Sequence, residues 1–178
     1  MSSARPRPTR RAGGLLPAIA RSESIAGGAP ALRRGEAAIA LAETVIGSLS
    51  GQAPARQTVS PRDERRIADV LHYIERNAAE EIELDRLAAI AQRSKYHFLR
   101  IFRRAVGMTP YRYLLSIRLR RAALDLATSR EGVASIAYDA GFGDLSTFNN
   151  RFRATLGMTP LAYRRQTRRS QLPPAAAQ

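Results

Sequence analysis

Residues 135–165 read SIAYDAGFGDLSTFNNRFRATLGMTPLAYRR, and this stretch decides the fold. A short apolar run and a glycine precede a longer run that contains two phenylalanines and ends in Gly-Met-Thr-Pro. The same pattern occurs once before, fifty residues earlier. Its members are Phe98, Phe102, Arg103 and Gly107 in the first copy, and Phe148, Phe152, Arg153 and Gly157 in the second. Each copy reads as a short helix, a turn and a longer helix, so the sequence predicts two helix-turn-helix units in tandem.

The tetrapeptide GMTP, at residues 107–110 and 157–160, predicts a corner between two helices. Glycine takes the left-handed conformation that ends a helix at little steric cost. Threonine accepts hydrogen bonds from the first amides of the next helix, and proline fills the first helical position, where no N–H is needed. We therefore interpret the repeated tetrapeptide as structural rather than catalytic.

The longer helix of each unit has one apolar face and one outward face. At about 100° per residue, Phe98 and Phe102 lie on one side of the first of these helices, and Phe148 and Phe152 lie on one side of the second. We expect both pairs to be buried. The opposite sides carry Tyr96, Leu99, Arg100 and Arg103 in the first unit, and Ser146, Asn149, Asn150 and Arg153 in the second. Side chains able to contact nucleic acid therefore point outward in both units.

The charge of the chain favours a polyanionic partner. The 178 residues carry a formal net charge of +14, and Lys95 is the only lysine among 29 basic residues. Residues 94–178 hold 15 basic and 4 acidic side chains, so the positive charge is concentrated around the repeats. Nucleic acid is the first expectation and an anionic membrane surface the second. Arginine binds phosphate and guanine with two parallel hydrogen bonds.

Several chemistries are excluded by composition. The chain has no cysteine and only two histidines, His72 and His97, which leaves little material for metal or general-base chemistry. No apolar run approaches the roughly 18 residues of a membrane span. Asp139 and Asp144 could be imagined as a carboxylate pair, but Asp144 is better explained as the cap of a helix. We expect neither an enzyme nor a cofactor.

The rest of the chain divides by composition. Residues 1–32 are predicted to be a disordered basic arm, and residues 168–178 a disordered tail. Between them, residues 33–59 are predicted to form a helix, from about 33 to 50, and a linker. That helix has Leu41, Val45 and Leu49 along one face, which is either a seam for a second copy or a face packed on its own domain. Residues 60–167 are predicted to form an all-α domain that begins with a helix capped by Ser60.

The two repeats resemble the DNA-binding domain of the AraC/XylS family of bacterial transcriptional regulators. The resemblance rests on LDRLAAIAQRSKYHFLRIFRRAVGMTPYRYLLSIRLRRA and on SIAYDAGFGDLSTFNNRFRATLGMTPLAYRR, and it covers about residues 62–166. It implies a seven-helix domain in which a long central helix, about Pro110 to Thr128, joins two helix-turn-helix subdomains. It also implies that helices 94–106 and 144–156 enter successive major-groove segments of double-stranded DNA.

The outward faces supply the candidate contacts to DNA. We expect base contacts from Tyr96, Leu99, Arg100, Leu145, Ser146, Asn149 and Asn150. Arg100 is the strongest candidate, because it points outward near the start of its helix. Contacts to phosphates, or salt bridges at helix ends, are expected from Lys95, Arg103, Arg104, Arg112, Arg118, Arg121, Thr147 and Arg153. His97 is expected to be a surface histidine with no role in binding.

Three positions depart from the family pattern. Gln92 stands in the first turn where the family usually has glycine, so either a left-handed glutamine is tolerated or the turn differs. Asn150 stands where arginine is frequent, which favours adenine over guanine or a phosphate contact. Leu145 replaces a residue that is often polar, and it would contact either a thymine methyl group or the core.

These expectations describe a bacterial transcription activator in the cytoplasm, associated with the nucleoid. The resemblance implies RNA polymerase as a further partner, and the helix at 33–50 would permit a homodimer. The segment before residue 60 is either part of a sensor domain or belongs to a short member of the family. The alternative function is a basic helical adaptor that binds protein partners and contacts DNA only non-specifically. A third and weaker interpretation is a basic arm, residues 1–34, that binds membranes or RNA.

Overall fold

A computed structural model describes residues 30–50 and 59–171, and these residues form eight α-helices without a strand. In chain order the helices are α1 Pro30–Ser50, α2 Pro61–Arg76, α3 Leu84–Ile90, α4 Lys95–Val106, α5 Pro110–Thr128, α6 Val133–Asp139, α7 Leu145–Leu156 and α8 Pro160–Gln171. The seven helices α2 to α8 correspond to the predicted seven-helix domain, with α5 as the central helix. The predicted all-α class is therefore confirmed.

The predicted boundaries differ from the observed ones at both ends. Helix α1 begins at Pro30, within the predicted basic arm, and α8 continues to Gln171, within the predicted tail. The remainder of the predicted arm, most of the predicted linker and the end of the tail lie outside the described residues.

The two GMTP corners have the predicted geometry. Gly107 and Gly157 have left-handed backbones, with φ of 79° and 78°. The hydroxyl oxygen of Thr109 accepts a hydrogen bond from the N–H of Arg112, and that of Thr159 accepts one from Ala162. Pro110 and Pro160 are the first residues of α5 and α8. The corners therefore stop one helix and start the next.

The helices enclose two separate hydrophobic cores. The first core contains Phe98 and Phe102, whose ring centroids are 5.6 Å apart, and the second contains Phe148 and Phe152, 5.4 Å apart. We call residues 61–117 the first head and residues 119–169 the second head. Helix α5 contributes side chains to both cores, which explains why its buried residues lie around most of its circumference rather than along one stripe.

Arg118 and Gly141 hold the two heads together at one loop. The Arg118 side chain is 2% exposed, and its Nε and Nη2 donate to the backbone oxygens of Ala78 and Glu80 at 2.6 and 2.8 Å. A Cβ on Gly141 would lie 2.8–2.9 Å from the backbone of Ala78 and Ala79, so only glycine allows this approach. The loop after α2, which belongs to the first head, therefore contacts both the central helix and the turn of the second head.

The expectation that Arg118 contacts DNA phosphate is therefore wrong. Its guanidinium is buried in the junction, where it satisfies carbonyl groups that would otherwise lack donors. Arg121 is exposed, but its Nη2 also donates to a carbonyl oxygen of α2, that of Glu75. Both arginines lie on α5. The apolar residues of this helix do not form a single stripe, so its sequence did not indicate which turn faces α2.

Helix α1 packs on the first head through a face that was not predicted. Leu32 is fully buried in the first core, and Gly35 lies against the side chain of Leu84. By contrast, Leu41 is 68% exposed, so the predicted stripe does not pack on its own domain at this residue. The side chains of Val45 and Leu49 lie outside the described residues. The small Gly35 decides which face packs, because it lets α1 approach α3 closely.

Candidate nucleic-acid interface

The turns that position the two outward helices have the same hydrogen bonds. In the first head, Gln92 N–H donates to Ala89 O at 3.0 Å, and in the second, Gly141 N–H donates to Tyr138 O at 2.8 Å. Gln92 has a φ of 50°, so of the two alternatives the left-handed glutamine is the one observed. Its side chain is exposed and accepts a hydrogen bond from Arg66. Glutamine is tolerated because its side chain extends into solvent.

Helix α4 presents an exposed Tyr96 and a half-buried Arg100. Arg100 Nη2 lies 3.4 Å from Nδ1 of His97, one turn away. Burial, followed by the charges of Arg100 and Arg93, lowers the pKa of His97, which favours a neutral ring whose Nδ1 accepts from Arg100. His97 was expected to be a surface histidine with no role in binding; it is half-buried and contacts Arg100, the strongest base-contact candidate.

Leu99 does not point to solvent as the helical wheel predicted. It is 6% exposed, and it lines a narrow gap together with Glu36 and Ala40 of α1. The wheel placed Leu99 between Tyr96 and Arg103 on the outward face. That face is correct for an isolated α4, but α1 covers this part of it.

The outward face of α7 is more exposed than that of α4 among the residues that the structure describes. Ser146, Asn150 and Arg153 are exposed, and Asn149 is half-buried. Leu145 is half-buried and packs against the second core, which favours its interpretation as a core residue.

Thr147 and Asp144 form the cap of α7. The backbone N–H of Thr147 donates to Asp144 Oδ1 at 2.7 Å, and the Thr147 side chain is buried. Hydrogen bonds from Thr147 and Ser146 lower the pKa of Asp144, since they favour the carboxylate. The expected phosphate contact of Thr147 is thus replaced by a structural role, while the expected role of Asp144 as a cap is confirmed.

The remaining candidate phosphate contacts differ in their surroundings. Arg103, Arg104 and Arg153 are exposed, and Arg112 is half-buried. Lys95 is also exposed, and its Nζ lies 2.7 Å from Asp85 Oδ1. An exposed ion pair of this kind contributes little stability, so Lys95 can exchange its partner for a phosphate.

Two charged residues near this surface were not predicted. Glu36 of α1 is buried, and its Oε1 accepts a hydrogen bond from the backbone N–H of Tyr111 at 2.6 Å. Arg151 of α7 is buried as well and faces a cavity of about 440 Å³ between α1 and both heads. Arg33, Arg103 and Arg112 line the same cavity. Sequence periodicity could not find this site, because its members come from four separate helices.

Within residues 30–50 and 59–171 no group of three or more His, Asp or Glu side chains could hold a metal ion. None of the described helices is long and apolar enough to cross a membrane.

Known proteins share this arrangement. A family model described as a helix-turn-helix domain matches residues 87–166. The DNA-binding domain of AdpA, solved in complex with a target DNA, superposes with a TM-score of 0.57 at 31% identity, over 60% of this chain and 96% of that domain. The transcriptional activator AarP of Providencia stuartii is 36% identical over 98 residues, which are 55% of this chain and 73% of AarP. This chain belongs to the AraC family of transcriptional regulators.

AraC-family relatives differ in how much of their length this chain matches. The MmsAB operon regulatory protein of Pseudomonas aeruginosa is 32% identical over 104 residues, or 58% of this chain but 34% of that protein. The chain thus spans about a third of that relative and most of AarP. In this AraC-family domain, the matched region contains both outward helices and the central helix.

Proposed function

We propose that this chain is a sequence-specific DNA-binding transcription regulator that reads two successive major-groove segments with α4 and α7. One observation carries the proposal: a single rigid helix joins two helix-turn-helix heads that are built alike but present different side chains. A protein that only neutralised phosphates would not need Tyr96 and Arg100 on one head and Ser146 and Asn150 on the other.

The two heads would read different bases. Arg100 is suited to the two acceptors of guanine, and Asn150 to the donor and acceptor of adenine. Tyr96 and Ser146, exposed near the starts of α4 and α7, would contact neighbouring bases or sugars. The exposed Arg104 and Arg153 would fix the register through phosphates, as basic side chains do without reading sequence.

The length of α5 sets the spacing. Its 19 residues span about 28 Å at 1.5 Å per residue. One turn of B-DNA is about 34 Å long. We therefore expect the two contacted segments to lie about one turn apart on one side of the duplex, with some bending of the DNA toward the protein.

Further partners follow from the family. RNA polymerase is the partner through which an activator would work, and a second copy could associate through the exposed Leu41 face of α1. With DNA as its target, the protein would act in the cytoplasm, associated with the nucleoid. We assign no enzymatic role, because Asp144, the acid considered for catalysis, is the cap of α7.

Selection of bound sequences from a random DNA pool tests the function. The full-length protein should enrich a site of about 20 base pairs with two blocks of fixed sequence roughly 10 base pairs apart. Enrichment of no sequence, together with equal binding to all duplexes, would contradict sequence-specific reading and favour the adaptor function.

A further inference from the structure

In the part of the chain that the structure describes, helix α1 packs on the first head. The fifty-residue repeat allows each position to be compared with its counterpart. Tyr111, the second residue of α5, is 7% exposed, whereas its counterpart Leu161 in α8 is 48% exposed. Likewise Leu99 is buried, whereas Asn149 is half-buried. Among the described residues, the buried contacts of α1 involve α3, α4 and the start of α5.

Glu36 lies where these elements meet, in a site made of hydrogen-bond donors and cations. Its carboxylate accepts from the backbone N–H of Tyr111 at 2.6 Å and from the hydroxyl of Thr109. The guanidinium groups of Arg103 and Arg112 act on it electrostatically. We call Thr109, the Tyr111 amide, Arg103 and Arg112 the α5 corner. Among the residues whose side chains the structure describes, Glu36 is the acid of α1 that lies at such a corner, and it lies at that of the first head.

The α5 corner has the chemistry of a phosphate site. Free amides at a helix N-terminus, a hydroxyl and arginines are the groups with which proteins bind DNA phosphates. The second observation is Glu36 itself, an anion already bound there and buried. Arg103 and Arg112 also rank among the residues for which the sequence predicted phosphate contacts.

We propose that α1 is an intramolecular competitor of DNA, in which the Glu36 carboxylate occupies the place of a backbone phosphate at the α5 corner. This inference rests on the proposed DNA-binding function. A duplex that lies along the outward face of α4 must pass Leu99 and Arg103, and α1 occupies this space. Full engagement of the first head therefore requires α1 to leave, while the second head can bind without that change.

The surroundings of Glu36 make its release feasible. Burial raises the pKa of this carboxyl group, since removal from water disfavours the charged form, and the hydrogen bonds and arginines offset only part of this effect. The cavity of about 440 Å³ next to Glu36 is lined by Arg33, Arg112 and Arg151 as well as Arg103. A DNA phosphate would therefore meet a cluster of positive charge beside Glu36.

A reversible covalent lock tests the proposal. The chain has no cysteine, and a Cβ on Gly35 would lie 3.3 Å from Cβ of Leu84, close to the separation that a disulfide spans. Gly35→Cys with Leu84→Cys, oxidised, would hold α1 on the first head, and reduction would free it. Disulfide formation is checked by mass spectrometry, and affinity is measured by fluorescence anisotropy on the selected duplex.

We expect the oxidised protein to bind about tenfold more weakly than the same protein after reduction, within the usual range of intramolecular coupling. The single variants Gly35→Cys and Leu84→Cys, treated identically, should show no difference between the two conditions. Equal affinity of the oxidised and reduced double variant would overturn the proposal. A wild-type protein that selects no DNA would instead contradict the proposed function itself, and the inference with it.

A second pair of variants avoids any change in the core. Glu36→Gln should raise affinity for the selected duplex about threefold to tenfold, because the carboxylate no longer competes for the arginines. Glu131→Gln changes the net charge equally at an exposed position beyond the end of α5 and should change affinity less than about twofold. Equal effects of the two substitutions would overturn the proposal, because net charge alone would then explain them.

Discussion

The first and second heads share their internal construction and differ in what they present. Both end the outward helix at a left-handed glycine, both start the next helix at Thr-Pro, and both pack two phenylalanines in a core. On the outside, Arg100 corresponds to Asn150, and the described buried contacts of α1 are with the first head. The repeated phenylalanines, glycines and Thr-Pro pairs build the fold, whereas Arg100 and Asn150 are the candidate base contacts that distinguish the two heads.

The two cores should be separable by mutation. Phe152→Ala should lower the free energy of unfolding by about 3–5 kcal/mol, because it leaves a cavity in the second core. Hydrogen exchange should then speed up in α6, α7 and α8 more than in α2 to α4. Phe102→Ala should give the opposite distribution. Equal acceleration in both heads for both variants would show that the cores unfold as one unit.

The stability of the junction between the heads should depend on Arg118. Arg118→Ala would leave the carbonyl groups of Ala78 and Glu80 without donors and should cost about 2–4 kcal/mol in the free energy of unfolding. Arg104→Ala, at an exposed position of α4, should leave stability nearly unchanged and weaken DNA binding. Urea unfolding and anisotropy measure the two effects. A stable Arg118→Ala protein that only loses DNA affinity would restore the phosphate interpretation.

Substitution by alanine should cost different amounts of folding stability in the turn at Gly141 and in the turn at Gln92. Gly141→Ala should cost about 2–3 kcal/mol, because φ is 91° and the new Cβ would overlap the backbone of Ala78 and Ala79. Gln92→Ala keeps a side chain at positive φ and loses the hydrogen bond with Arg66, which should cost about 0.5–1.5 kcal/mol. Thermal unfolding of both variants checks this. Equal costs would mean that the second turn has space that the structure does not show.

The smallest expected difference between the heads is in their response to pH. The pKa of His97 is lowered below its ordinary value of 6.5 in the folded protein. The unfolded chain therefore binds a proton more readily as pH falls below 6.5, and the stability of the first head should fall from there down through the lowered pKa. Hydrogen exchange of α4 at pH 7.5 and 5.5 measures this loss of stability, with His97→Gln as the control. The counterpart in the second head is Thr147, so α7 should not respond in this window.

Much of this arrangement could be predicted from the sequence because it is local. Helix caps, left-handed glycines and the phenylalanine spacing depend on residues within one or two turns, and Asp144 and the two GMTP corners behave as predicted. Leu99 and Arg118 could not be placed, because α1 and the loop after α2 bury them from a distance. Glu36 could not be predicted, since a glutamate among alanines gives no sequence pattern, and its hydrogen bond with the Tyr111 amide joins residues 75 positions apart.

The most direct measurement compares Arg100→Ala and Asn150→Ala on the site selected from random DNA. Each should lose about 1–3 kcal/mol of binding free energy and discrimination at one base position. The two affected positions should lie roughly one helical turn apart, one opposite each head. If both variants instead lost affinity equally for selected and random DNA, with every base still preferred as before, the claim that the two heads read sequence would be wrong.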